Sequence, residues 1–319
     1  MDDKQIRKGL RINIGSYGWA LVIYFGLMTA CVNAAVMVDM IFRMMAGFAA
    51  GGFSGEALLD EAAILGNGWG YLAACVLAVG LIRLWKGKDF FRGMWKTERE
   101  MKPAAFWQLI CVFISGQLLF QILAAILESV LNLFGLSVLE AMELASVSND
   151  TVSMFLYTVL AAPVVEEIIF RGLVLRGLER YGKKFAIVAS ALLFGAFHGN
   201  IVQSPYAFAV GLVLGYTAVE YNIGWAMVLH MANNLVLGDT LPRLTQGLGE
   251  MGSTLLTQWV IIVCTVAAVV ILIRKRKRLG AFLRRERENR PCWRAFWTAP
   301  GNIVLFIVMG LSAVSMLMG

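Results

Sequence analysis

The sequence predicts an all-α protein: a polytopic transmembrane helical bundle of about eight to nine spans, with four helices forming a dense centre. Composition is the first reason. Hydrophobic residues make up 59% of the 319 residues and charged residues 15%, with a mean hydropathy of +0.71. A soluble domain sits nearer to roughly 45–50% apolar and 25% charged. The second reason is a series of nine apolar windows, at residues 16–38, 64–84, 104–126, 153–175, 184–200, 205–221, 224–240, 255–273 and 299–318, most of them near the ~20 residues that a membrane-crossing helix needs. The third is that basic and acid-only connections alternate between the windows.

In chain order, residues 1–150 hold about three spans, 151–240 the dense centre, and 241–319 the last helices with a basic cytoplasmic segment. The connection after the first window carries Glu56, Asp60 and Glu61 in a stretch that has no Lys or Arg beyond Arg43, and the one before the fourth carries Glu128, Glu140, Glu143 and Asp150 with no Lys or Arg. Basic residues instead concentrate in the N-terminal arm and in 82–102, 171–184 and 274–294. This places the N-terminus in the cytoplasm and, with nine spans, the C-terminus outside. Gly211-x-x-x-Gly215 in the sixth window lets two helix backbones approach closely. The run Arg274-Lys275-Arg276-Lys277-Arg278 reads as a stop-transfer block near anionic head groups, and residues 280–296 as an amphipathic cytoplasmic segment.

Charge and cysteine usage remove other classes. The net charge of +7 lies in blocks that flank apolar windows, and no aromatic-interleaved soluble domain accompanies it, so nucleic acid is not an expected partner. Cys31, Cys75, Cys111, Cys264 and Cys292 are odd in number and scattered, without a disulfide framework or paired zinc spacing. Met28-Thr29-Ala30-Cys31 faintly resembles a lipoprotein cleavage site, but the many later spans favour a retained first helix.

The functional signal is polar. The chain has two histidines, His198 and His230, both in apolar stretches, and ionisable residues at membrane depth cost about 2.5–3.5 kcal/mol each on insertion scales. In the fourth window, Glu167 and Arg171 are four residues apart and can pair on one helix face. Glu166 points away from that pair, and a buried carboxylate of this kind suits general-base work near neutrality. Pro163, one turn earlier, lacks an N–H and disturbs the helix, which fits a helix lining a wet cavity. Phe194 precedes His198 by four residues and can wall and orient the imidazole. His230 and Asn234 share a face, either as donors to an oxyanion or as a metal ligand with its outer-shell support. Asn233 and Asn234 also serve as helix–helix hydrogen-bonding groups.

Glu-Glu-x-x-x-Arg at 166–171, Phe-x-x-x-His at 194–198 and His-x-x-x-Asn at 230–234, in that order on successive membrane helices, resemble the CAAX protease and bacteriocin-processing family of intramembrane endopeptidases, also called Abi or CPBP. The resemblance covers about residues 150–240 and implies that spans four to seven are a four-helix catalytic core. It further implies that Glu166 and His198 activate a water, that His230 and Asn234 stabilise the oxyanion, and that Glu167 and Arg171 orient the site. The family is described both as zinc-type and as glutamate-dependent. The sequence lacks His-Glu-x-x-His, although Glu166, His198 and His230 would be the ligands if zinc or another divalent metal binds.

The expected function is therefore hydrolysis of a peptide bond in a membrane-associated or lipid-modified substrate. The partners implied are a peptide or protein with a hydrophobic or lipidated segment, and membrane lipids. Short loops without appended soluble domains suit a multi-pass protein of a prokaryotic plasma membrane. The rival readings are a non-catalytic bacteriocin-immunity or membrane scaffold protein, and a transporter. Carriers often show repeated halves, and no second Glu-Glu-x-x-x-Arg segment occurs.

Overall fold

A computed structural model describes residues 3–49, 66–139, 142, 151–284 and 289–317, all quantities below being of these residues. Glu56, Asp60, Glu61, Glu140, Glu143 and Asp150, on which the acid-only connections rest, lie outside them. Among the described residues the regular structure is all helical, with no strand.

Ten helical elements carry the fold. The first five are α1 (Asp3–Ala49), α2 (Trp69–Gly93), α3 (Pro103–Leu131), α4 (Val152–Tyr181, of composite pitch) and α5 (Lys183–Phe197). They are followed by α6 (Gln203–Glu220), α7 (Ile223–Leu235), α8 (Gly249–Arg284), α9 (Arg290–Thr298) and α10 (Pro300–Ser315). Local chemistry sets several boundaries. Thr151 Oγ1 accepts from the Met154 N–H at 3.1 Å and Asn222 Oδ1 from the Trp225 N–H at 3.0 Å, capping α4 and α7. Asn200 Oδ1 accepts from Val202 N–H and Gln203 N–H at the start of α6. Gly199, at φ +56°, turns the chain out of α5 in a conformation that favours glycine.

Five helices, within α1, α2, α3, α4 and α8, are long and apolar enough to cross a membrane, or six if the α9–α10 pair, bent by 57°, counts as one broken span. The protein is an integral membrane protein. Its outer helices expose large apolar side chains, among them Val76, Leu84, Trp107, Leu255, Trp259 and Val266, a pattern that belongs in lipid. α1 continues through Cys31 without a break, and the five cysteines are free thiols.

The expected eight or nine spans are not confirmed among the described residues. The fifth and sixth windows fold as helices of 15 and 18 residues, about 22–27 Å long at 1.5 Å per residue against a hydrocarbon core of about 30 Å. The seventh runs on from Ile223–Leu235 through the π-helical Val236–Thr240 into Leu241–Thr245, with His230, Asn233 and Asn234 interrupting its apolar run. Their apolarity serves burial within protein. Phe185, Ala186, Ala189, Leu193, Leu214, Ala218, Ala226 and Leu229 are almost fully buried. Helices α4 to α7 form this centre, with α3 and α8 on one side and α1, α9 and α10 on the other.

The Gly211–Gly215 pair seats α6 on α5. A Cβ at Gly211 would stand 3.1 Å from the Phe194 ring and 3.3 Å from Ala191, and one at Gly215 3.2 Å from Ile187. At one end of the bundle, Glu220 Oε1 accepts from Arg99 Nη1 at 3.1 Å and Arg278 Nη2 at 2.7 Å. Three segments far apart in sequence thus meet at one end of the bundle. The amphipathic segment takes shape as α9, which buries Cys292, Ala295 and Phe296.

Candidate active site

The helix that carries the acidic pair has an uneven pitch. Residues Leu156–Ala161 and Glu167–Leu175 of α4 are π-helical, with five α-helical residues, Ala162–Glu166, between them. Widened turns of this kind are rare and concentrate at functional sites. Pro163 explains part of the first one. The Ala162 N–H bonds to the Tyr157 carbonyl, one residue further back than in an α-helix. Pro163, which would serve Thr158 in the same register, has no N–H to give. The Thr158 carbonyl instead accepts the side-chain Nδ2–H of Asn234 on α7, at 2.9 Å.

The second widened segment buries a cluster of three polar side chains, Glu167, Arg171 and His230. Arg171 Nη1 donates to Glu167 Oε1 at 3.0 Å, with both side chains fully buried. Arg171 Nη2 donates to the Gly211 carbonyl at 3.2 Å, and the guanidinium stacks 4.3 Å from the Phe194 ring centre. His230 Nδ1 bonds to the same Glu167 Oε1 at 3.0 Å. Because Glu167 is held as a carboxylate by Arg171, Nδ1 is the donor. The opposite ring edge, Nε2, lies 3.9 Å from Glu166 Oε2, within ion-pair range but too far for a direct hydrogen bond. Glu167 Oε2 and Arg171 Nε are buried without partners, each a desolvation cost of about 1–3 kcal/mol or more for a charged group. A merely structural cluster would gain by replacing them.

Glu166 is the more open acid, its side chain 19% exposed where that of Glu167 is sealed. Tyr24, Cys75 and Tyr157 surround it within electrostatic range. Beside it, α2 and α4 frame an apolar groove of about 580 Å³, lined by Leu72, Cys75, Val76 and Val79 on one wall and Leu156, Leu160, Ala161, Val164 and Val165 on the other. Val76 and Leu160 are exposed, so the groove opens on the lipid-facing side.

Of the residues singled out in sequence, the structure joins Glu166, Glu167, Arg171, Phe194 and His230 directly. His198 is arranged differently from the expected partnership with Glu166. It caps α5, and its Nδ1 bonds to the Phe194 carbonyl at 2.8 Å, one of the carbonyls that a helix end leaves unserved. With that carbonyl accepting at Nδ1, Nε2 is the acceptor nitrogen. The Phe194 ring stands edge-on to both imidazoles, 4.8 Å from His198 and 6.0 Å from His230. It is His230 that meets Glu166.

Asn234 is committed through one N–H to Thr158, and its Oδ1 accepts from Asn233 Nδ2 at 3.2 Å. Thr158, Gly211 and the positioning contact of Asn233 were not legible as site components. Only Pro163, five residues after Thr158, hints at a carbonyl without a helical donor.

The candidate metal ligands Glu166, His198 and His230 do not form a ligand set. Among the described residues, no three His, Cys, Asp or Glu side chains are grouped so as to hold a metal ion. His198 is turned to its own helix end, and His230 is held by Glu167. No step is derived through a metal.

Residues 148–236 match the family model described as Type II CAAX prenyl endopeptidase Rce1-like. No curated protein and no solved structure matches the chain. The matched segment encloses Glu166, His198, His230 and Asn234. Over residues 148–236, the chain is similar to the Rce1-like type II CAAX prenyl endopeptidases of the CPBP family.

Proposed function

We propose that this protein is an intramembrane endopeptidase of the CAAX-processing type that hydrolyses a peptide bond in a hydrophobic or lipid-modified substrate through a Glu- and His-activated water. The observation that carries the reading is the coincidence of the family match, residues 148–236, with a buried polar cluster that leaves one carboxylate, Glu166, open beside it.

In this mechanism Glu166 removes a proton from water as the oxygen attacks the substrate carbonyl carbon. The Nε2 lone pair of His198 accepts a hydrogen bond from the same water and orients it. The carbonyl oxygen gains the electron pair and becomes an oxyanion. Asn234 has a second Nδ2–H beyond the one given to Thr158, and that N–H, with His230, stabilises the oxyanion. Donation from His230 Nε2 requires protons on both ring nitrogens, since Nδ1–H is already given to Glu167. When the C–N bond breaks, Glu166 returns its proton to the leaving amine. Glu167 and Arg171 hold His230 in register.

The apolar groove between α2 and α4 supports a substrate with a greasy chain, which would enter from the lipid and lie beside Glu166. The membrane supplies that chain in a phase from which an aqueous site would exclude it.

The test is cleavage of a prenylated C-terminal peptide by the purified protein and by Glu166→Gln. Release of a C-terminal fragment by the wild type, lost in the variant, supports the reading. Binding of the peptide without turnover by either protein would instead favour an immunity or scaffold protein.

A further inference from the structure

Asn233 is an unspecified position of the His-x-x-x-Asn motif and has no role in the mechanism above, yet its amide is half used in a buried position. It is 9% exposed. Its Nδ2 donates to Asn234 Oδ1 at 3.2 Å, and its own Oδ1 is buried with no hydrogen-bond partner. The orientation of both amides follows from one anchor. The Thr158 carbonyl can only accept, so Asn234 must turn Nδ2 toward it. That turns Asn234 Oδ1 toward Asn233, which must answer with Nδ2, and Asn233 Oδ1 is left buried with no hydrogen-bond partner. On the other side Tyr206 lies against Asn233, and its hydroxyl accepts from Gln117 Nε2 at 3.0 Å.

A leucine has nearly the same shape as asparagine and would remove the orphaned acceptor. Keeping an amide at this position therefore carries a stability penalty, and what it adds is a donor to Asn234 Oδ1. An amide whose oxygen accepts a hydrogen bond is a stronger donor through its nitrogen. The chain from Asn233 through Asn234 to the Thr158 carbonyl also fixes where the second Asn234 N–H points.

We propose that Asn233 is a positioning residue that orients and polarises the Asn234 amide so that its remaining N–H meets the oxyanion. This rests on the endopeptidase reading. It assigns Asn233 to the transition state and not to substrate binding or to folding.

The experiment compares full-length wild type, Asn233→Leu and Asn234→Ala in detergent, measuring kcat and KM on a prenylated peptide alongside thermal unfolding. Asn233→Leu is expected to lower kcat about tenfold with KM within about twofold, a transition-state effect smaller than loss of an oxyanion donor itself. Its unfolding temperature should equal or exceed that of the wild type, because the orphaned oxygen is gone. A merely structural asparagine would instead lower the unfolding temperature, and that result overturns the proposal. So does a kcat within twofold of wild type while Asn234→Ala is impaired. If Asn234→Ala is also unimpaired, or the wild type does not cleave, the endopeptidase mechanism itself fails and the role of Asn233 falls with it.

Discussion

His230 gives its Nδ1–H to Glu167 at 3.0 Å, on the same carboxylate oxygen that receives Arg171. One oxygen of Glu167 thereby couples α4 to α7 and determines which edge of the imidazole faces Glu166. The acid that pairs with arginine is thus the one that orients the histidine. Its neighbour Glu166, one residue earlier, stays outside that pair and partly exposed.

Removing the cation should be costly. Arg171→Leu leaves Glu167 buried with His230 as its only hydrogen-bonding partner in place of a guanidinium. We expect a loss of about 3–5 kcal/mol, the range for breaking a buried ion pair from one side. Chemical or thermal unfolding in detergent measures it. The double variant Arg171→Leu with Glu167→Leu should be less destabilised than the single one, and a larger loss would contradict the pairing.

Glu166→Gln should fold as the wild type does, because Glu166 makes no direct hydrogen bond within the polar cluster and is partly exposed. Its kcat should fall by roughly 10²–10⁴, the range for loss of a general base. Unfolding curves and turnover of a prenylated peptide, measured on the same preparation, separate the two effects.

Pro163→Ala tests the origin of the Asn234 anchor. The new N–H offers the Thr158 carbonyl a partner within its own helix, in competition with Asn234. Turnover should drop several-fold, while thermal stability holds or rises, since a helix-interior proline costs about 3 kcal/mol relative to alanine. Unchanged turnover would show that Thr158 does not position Asn234.

Gly211→Ala places a methyl 3.1 Å from the Phe194 ring, where neither helix has room. Overpacking of this kind costs about 1–3 kcal/mol. The shift of α6 from α5 also draws the Gly211 carbonyl from Arg171, so both stability and turnover should decline together in paired assays.

A chelator such as EDTA should leave cleavage unchanged, because Glu166, His198 and His230 are not gathered into a ligand set. Activity lost on chelation and restored by a divalent metal would require His198 to leave the Phe194 carbonyl.

Much of this was legible in sequence, for identifiable reasons. The Glu167–Arg171 pair follows from four-residue spacing, and it survives even in a widened helix because the two side chains still share a face. Gly211 and Gly215 announced a close helix contact. The span count did not follow: apolarity in α5 to α7 has the same composition whether the helix faces lipid or protein, and only length against packing tells them apart. The side chain that stands directly against Glu166, His230 at 3.9 Å, did not follow either. Sequence order suggested His198, whereas the end of α5 offered that imidazole an unserved carbonyl nearer than any carboxylate.

By itself, the sequence determined an integral membrane protein, its helical class, the family that its central segment resembles and the short set of polar residues worth testing. Those depend on composition and on spacing within one helix, where neighbours are set by the chain. Tertiary structure alone decided that Glu167 binds His230, that Arg171 reaches the Gly211 carbonyl and that Asn233 stands behind Asn234 in a chain ending on Thr158. Each of these bonds depends on how one helix is rotated and shifted against another, or on a local change of pitch. Neither is written in the spacing of residues along a single helix.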